Sequence, residues 1–260
     1  YPANYWYSLL EPPPSNEFPG TGVNGNGINR GLESQAAWVD ITKQGCQLCH
    51  QMGNRFTFDT SHLEQFDSTQ DAWDHRLSFG QRGSQMSGVL NRFGRDRSLS
   101  MFAEWSDRIA SGEVPVAPPR PDGVERNLVL TMWEWAGETS YVHDEVTTDK
   151  RNPTINGDGL VYGVSITSDK LVITDVAQHR SFELDVPLRE PRAMVPSMFP
   201  TAPGFEPSPV WGDEIIFDAP ANPHNPMMDA EGRVWLTSTV RRRENPEWCQ
   251  RGSNHQSARY

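Results

Sequence analysis

The sequence predicts an all-α domain followed by an all-β domain, on three observations. Apolar residues recur at helical spacing from residue 31, a Cys-x-x-Cys-His run stands at 46–50, and beyond a proline-rich stretch the period becomes that of strands. The expected organisation is an extended N-terminal arm at 1–30, the helical domain at 31–112, a linker at 113–126 and the β domain at 127–260.

The arm has no period of its own. Tyr1-Pro2-Ala3-Asn4-Tyr5-Trp6-Tyr7 is aromatic, Pro12-Pro13-Pro14 is stiff, and 20–27 alternates glycine with polar residues, so the segment must pack on something else or stay mobile. The aromatic cluster favours packing. From residue 31, Leu32, Ala36 and Val39 fall at i, i+4, i+7, and Gly45 closes the run. A second helix is expected from Asp71, a plausible N-cap, to Phe79, with Gly80 beyond its end. A third covers 98–111, where Leu99, Phe102 and Ile109 form one stripe and Gly112 ends it. The linker carries Pro115, Pro118, Pro119 and Pro121, which are hostile to helix. Beyond it, strands are expected at 127–135, 160–166, 171–176, 181–186, 214–217 and 233–240. Ser168-Asp169 and Asp229-Ala230-Glu231-Gly232 are their turns. Short strands with Asp/Gly turns suggest a sandwich or propeller blades, and at roughly 40–45 residues per blade the β half would supply about three.

Cys46-Gln47-Leu48-Cys49-His50 is the most specific feature. Two thiols spaced by two residues can form thioethers to the two vinyl groups on one haem edge, and the following His50 then supplies the proximal imidazole. A zinc site would need a second pair, and Cys249 stands alone with His255 six residues on. A thioredoxin-like pair would follow a strand, whereas a helix is expected here. The reading is one covalently attached haem c. The sixth ligand decides what the iron does: methionine suits electron transfer, a second histidine lowers the potential, and an open site admits ligands. Met86 is the expected ligand, in Gly83-Ser84-Gln85-Met86-Ser87-Gly88, read as a flexible loop before the last helix. Met101 is an alternative that sits within a helical run and would pack on Trp105. Met52 is too near His50 to reach the opposite face, and His75 or His62 would make a bis-histidine site.

In the β half, His143-Asp144-Glu145 and His224-Asn225-Pro226 can be read two ways. The histidines with Asp144 and Glu145 could hold a divalent metal, or all of these residues could serve turns and strand ends. Asn156-Gly157-Asp158-Gly159 lacks the rest of a calcium loop and reads as a turn. No nucleophile elbow or phosphate loop is present in the sequence.

Composition bounds the rest. Net charge is −11, which argues against nucleic acid and suits basic or weakly charged redox partners. Arg241-Arg242-Arg243, followed by Glu244, reads as a solvated turn. No apolar stretch approaches the ~20 residues of a membrane span. The opening Tyr1 suggests a processed chain. Cys249 is the odd thiol, free or paired elsewhere. Nine tryptophans fit aromatic core packing or a haem crevice.

Residues 31–112 resemble the small monohaem cytochrome c domains, with CxxCH after the first helix and a methionine loop before the last. Through Asp229-Ala230-Glu231-Gly232-Arg233-Val234-Trp235 and His224-Asn225-Pro226-Met227, residues 127–260 look like the opening blades of a streptogramin-lyase-like (Vgb-type) β-propeller. The whole arrangement, with its Tyr-Pro-Ala-Asn-Tyr-Trp arm, resembles bacterial exported proteins that join these modules. In those, an immunoglobulin-like carboxypeptidase-regulatory domain often precedes the arm. The resemblance implies an α + β multidomain chain, a cytochrome c domain followed by a partial propeller, with further domains or copies completing the β part. The expected function is electron transfer in the periplasm or outside the cell, the β domain docking a redox partner or fixing the cytochrome in an assembly. The alternatives are a haem-linked oxidoreductase whose β domain binds a small substrate, and a haem-based sensor.

Overall fold

The computed structural model describes residues 1–49, 51–61, 65–78, 82–130, 135, 137, 140–166, 168–195, 219–240 and 244–256. Outside them lie His50, His62, residues 131–134 of the strand expected at 127–135, the strand expected at 214–217, and Arg241–Arg243. Among the described residues of the first 110, six α-helices form: α1 (Ala3–Tyr7), α2 (Gln35–Ile41), α3 (Arg55–Phe58), α4 (Thr69–Ser78), α5 (Gly83–Phe93) and α6 (Arg95–Ala110). Their core is aromatic. Trp38 meets Phe93 at 4.6 Å, Trp73 stacks on Phe102 at 5.0 Å, and Phe58 meets Trp105 edge-on at 6.0 Å. Two of the three buried indoles of this core find acceptors, Trp73 Nε1 at Ser106 Oγ and Trp105 Nε1 at Trp6 O, both 2.9 Å, whereas Trp38 Nε1 has none among the described residues.

The arm belongs to this core. Ala3, Leu9 and Ile28 are buried, Asn29 N donates to Phe93 O (2.8 Å), and Arg97 pairs with Glu17 at 2.8 Å. Arg108 reaches back to Leu9 O and Glu11. A segment without periodicity is thus held by side chains of α6. Residues 113–122 form no helix or strand and are largely exposed.

The strands follow residue 143. Antiparallel β1 (Asp144–Val146), β2 (Val161–Ser165), β3 (Lys170–Asp175) and β4 (Arg180–Asp185) form one sheet in that order, and β5 (His224–Met228) pairs with β6 (Val234–Thr237) in a second. Val164 and Val172 are fully buried, whereas β4 is a mostly exposed edge strand rich in charge. Asp169, in the β2–β3 turn at φ 53°, is 1% exposed and ties the sheets together. Its carboxylate accepts from Ala221 N and Asn222 N, each at 2.8 Å, and pairs with Arg192 at 3.2 Å.

The expected class, a cytochrome c domain followed by propeller blades, is corrected by this architecture. The fold is mixed α/β with small antiparallel sheets of four and two strands, and no ring of blades or closed sheet occurs among the described residues. The physical reason is visible in β5. Pro226 removes an amide donor from its middle, and a register shift separates His224 from Met227, so β5 serves only a two-stranded ribbon. The methionine loop is likewise corrected: residues 83–88 open α5 rather than a flexible connection. Gly83 and Gly88 read as loop punctuation, yet the stripe Met86, Val89, Leu90, Phe93 at i, i+3, i+4, i+7 carries the helix. The residues 128–130 of the expected 127–135 strand are exposed and unpaired in any sheet.

Candidate functional site

The motif sits where a helix changes its winding. Ser34 caps α2, its Oγ accepting from Ala37 N, and Trp38 and Ile41 anchor the helix in the core. The chain then widens into a π-helical turn over Thr42–Cys46, with Gln47 N donating to Thr42 O at 3.2 Å. Cys49 N donates to Cys46 O at 3.3 Å, so both thiols leave one turn of chain. Neither forms a disulfide.

Both thiols are half-buried. Burial, then the neighbouring Cys49, pushes the Cys46 thiol up to about 12. Burial also raises Cys49, while the Arg82 guanidinium nearby pulls it down. Both are therefore protonated thiols at neutral pH, without the lowered pKa of a redox-active or metal-binding cysteine pair. Tyr7 of α1 is raised by burial and then by Cys46. Tyr141, ahead of β1, is raised by burial, Glu145 and Cys49. Both halves of the chain thus contribute a tyrosine to the neighbourhood of the motif.

Two glycines set the walls. A Cβ at Gly45 would stand 2.5 Å from Val89 Cγ1, so α5 lies directly on the turn that bears Cys46. Gly53, at φ 99°, has no room for a side chain, because a Cβ would meet Ala3 O at 2.0 Å and Tyr7 N at 2.7 Å. Helix α1 consequently covers the loop following the motif. Met86 is half-buried, three residues before Val89 on the same stripe of α5. Val89, which packs on Gly45, thus shares its stripe of α5 with Met86.

The other expected ligands lie elsewhere. Met101 is 8% exposed within the helical core on α6, and Met52 is buried just after the motif. His75 is half-buried on α4 with its ring 4.8 Å from that of Phe66. Cys249 is an unpaired thiol in a short 3₁₀ turn. The sequence reading missed Tyr7, Arg82, Val89 and Tyr141; only the aromatic character of the arm hinted at the first.

A second cluster forms in the β half. Asp144 Oδ1 lies 3.0 Å from His143 Nδ1, its Oδ2 lies 3.3 Å from His224 Nδ1, and Asn225 N donates to Oδ2 at 3.0 Å. Burial opposes ionisation of Asp144, but the Asn225 amide and the two histidines hold its carboxyl below the usual range. Glu145, one residue on, is exposed and points to the other face of β1. Asn156–Gly159 is a turn, with Asn156 Nδ2 donating to Thr147 O and Leu160 O, both at 2.8 Å.

No family model, curated protein or solved structure matches this chain. Among the described residues no helix is long and apolar enough to cross a membrane.

Proposed function

We propose that the chain is a c-type cytochrome, carrying one covalent haem and transferring electrons outside the cytoplasm, in the periplasm or extracellular space. The observation that carries the reading is the Cys46-Gln47-Leu48-Cys49-His50 run at the end of a core helix, with both thiols unpaired and protonated and a methionine-bearing helix packed onto it at Gly45. The residues suit the group. Cys46 and Cys49 would hold it as thioethers, and His50 and Met86 would ligate its iron. The bound haem supplies one-electron chemistry at iron. Tyr7 of α1 stands beside Cys46, and Arg82 offers a buried positive charge beside Cys49. Trp38 Nε1 is a buried donor without an acceptor among the described residues, which a carboxylate of the cofactor suits. The net charge of −11 suits a basic redox partner, and Phe182 and Leu184 on the edge strand β4 offer it apolar contact.

The test is a reduced-minus-oxidised absorption spectrum, with and without carbon monoxide, on wild type and Met86→Ala. A c-type α band, with a far-red methionine–iron band that disappears in the variant, supports His50/Met86 ligation. An unchanged variant moves the ligand to Met101 or His75. Ready binding of carbon monoxide by wild type overturns the electron-carrier reading in favour of sensing. Absence of covalent haem overturns the whole proposal.

A further inference from the structure

We infer that His143, Asp144 and His224 form a binding site for a divalent transition-metal cation of the zinc class, separate from the haem motif. One ligand atom from each residue lies within 4.8 Å of the other two, a spread that a small adjustment of side chains contracts around an ion. The donors are two imidazoles and one carboxylate. Zinc and ferrous iron both accept that set, and hard cations such as magnesium and calcium, which take all-oxygen shells, do not favour it. Three protein ligands leave coordination positions open to water or a small ligand, and side chains 27–33% exposed give solvent a way in.

The site is assembled by tertiary structure. His143 and Asp144 enter β1, where His143 N donates to Val164 O (2.8 Å), while His224 opens β5 some 80 residues later. The backbone around His224 is shaped to present it. Asn222 and Asn225 bracket it at φ 43° and 48°, and a register shift in the β5–β6 pairing follows it. The imidazole rings stand nearly perpendicular, at 88°, with centroids 5.4 Å apart, so they converge on the carboxylate from two directions instead of stacking. Asn225 N holds Asp144 Oδ2 and thereby orients the carboxylate, the kind of supporting bond that metal ligands rely on.

The experiment is calorimetric titration of the full chain with zinc, with magnesium as the control. Free thiols are first alkylated wherever haem has not already taken them, so the result is independent of haem content. The expected result is one zinc per chain, a higher melting midpoint with zinc than without, and no response to magnesium. Asp144→Asn and His224→Ala are each expected to weaken zinc at least ~100-fold, since even supporting residues are worth ~10–100-fold. Should a variant fail to fold, wild type still decides the matter. Zinc should protect His143 and His224, and not His75 or His255, from diethylpyrocarbonate, read by peptide mass spectrometry. No stoichiometric zinc, undiminished binding in folded variants, or protection of other histidines instead would each overturn the inference.

Discussion

Gly45→Ala probes how the helix bearing Met86 is seated on the motif. The added Cβ would stand 2.5 Å from Val89 Cγ1 and 3.0 Å from Cγ2, where ordinary contact begins at 3.4 Å. The overlap of about 1 Å cannot be relieved by rotating Val89, because a β-branched side chain in a helix has essentially one rotamer. Helix α5 must move instead. Overpacking of this kind costs about 1–3 kcal/mol, against the ~0.5–1 kcal/mol that alanine normally gains over glycine in a helix. In a Val89→Ala background the obstruction is gone, so the same change should be neutral or stabilising by up to about 1 kcal/mol. A double-mutant cycle read by urea denaturation should therefore return a coupling of about 2 kcal/mol. On the haem-bearing protein, the far-red methionine–iron band should weaken in Gly45→Ala and recover in the double variant. Additivity within ~0.5 kcal/mol would show that α5 is not seated on Gly45, and the geometric case for Met86 would fall with it.

Two more outcomes follow from buried or paired carboxylates. Asp59 is opposed by burial but held at about 2 by the hydroxyl and amide of Ser61 and by Arg55. Its folded-state pKa is depressed, so its contribution is complete above about pH 4 and lost as the pH falls toward 2; after discounting for solvent, Asp59→Asn should cost about 1 kcal/mol at neutral pH, with the gap to wild type closing in acid denaturation series. Asp169→Ala should destabilise the β half by about 2–4 kcal/mol, because it takes the acceptor from the amides of Ala221 and Asn222. Hydrogen exchange at Val164 and Val172 measures that loss, and slow exchange unchanged from wild type would contradict it.

What could be read from the sequence was whatever repeats or carries a fixed spacing. The stripe Leu99, Phe102, Ile109 lies on α6, and the alternation near 161–185 lies on β2 to β4, with Ser168-Asp169 at a turn as expected. The cysteine pair sits at the end of a helix, as its context implied. Helix α5 was hidden by two glycines and two serines, whose local preference for loops was overridden by burial of Leu90 and Phe93. Strands β1 and β5 were hidden because they are short and polar: Asp144-Glu145-Val146 has no apolar alternation, and His224-Asn225-Pro226 contains a proline. The propeller expectation failed at the same place, since turn phrases around 229–235 say where a hairpin bends but not how many strands join it. Convergence of His143 with His224 depends on contacts 80 residues apart, which no local pattern encodes.

The N-terminal arm, which has no secondary-structure signal beyond its aromatic residues, sets the electrostatics of the motif. It lays α1 over Gly53 and Tyr7 beside Cys46, adding to the partial burial that raises both thiols. The same setting acts on any charge placed there. A haem iron loses a unit of positive charge on reduction, so exclusion of water disfavours the oxidised form and raises the potential, in the same direction as a methionine ligand. Arg82 pushes the same way, because a buried cation beside Cys49 repels the more positive state. Under the proposed haem ligation, Met86 on α5, the covering arm and Arg82 would all act toward a high potential. An open, water-exposed iron would need the opposite arrangement at each of them.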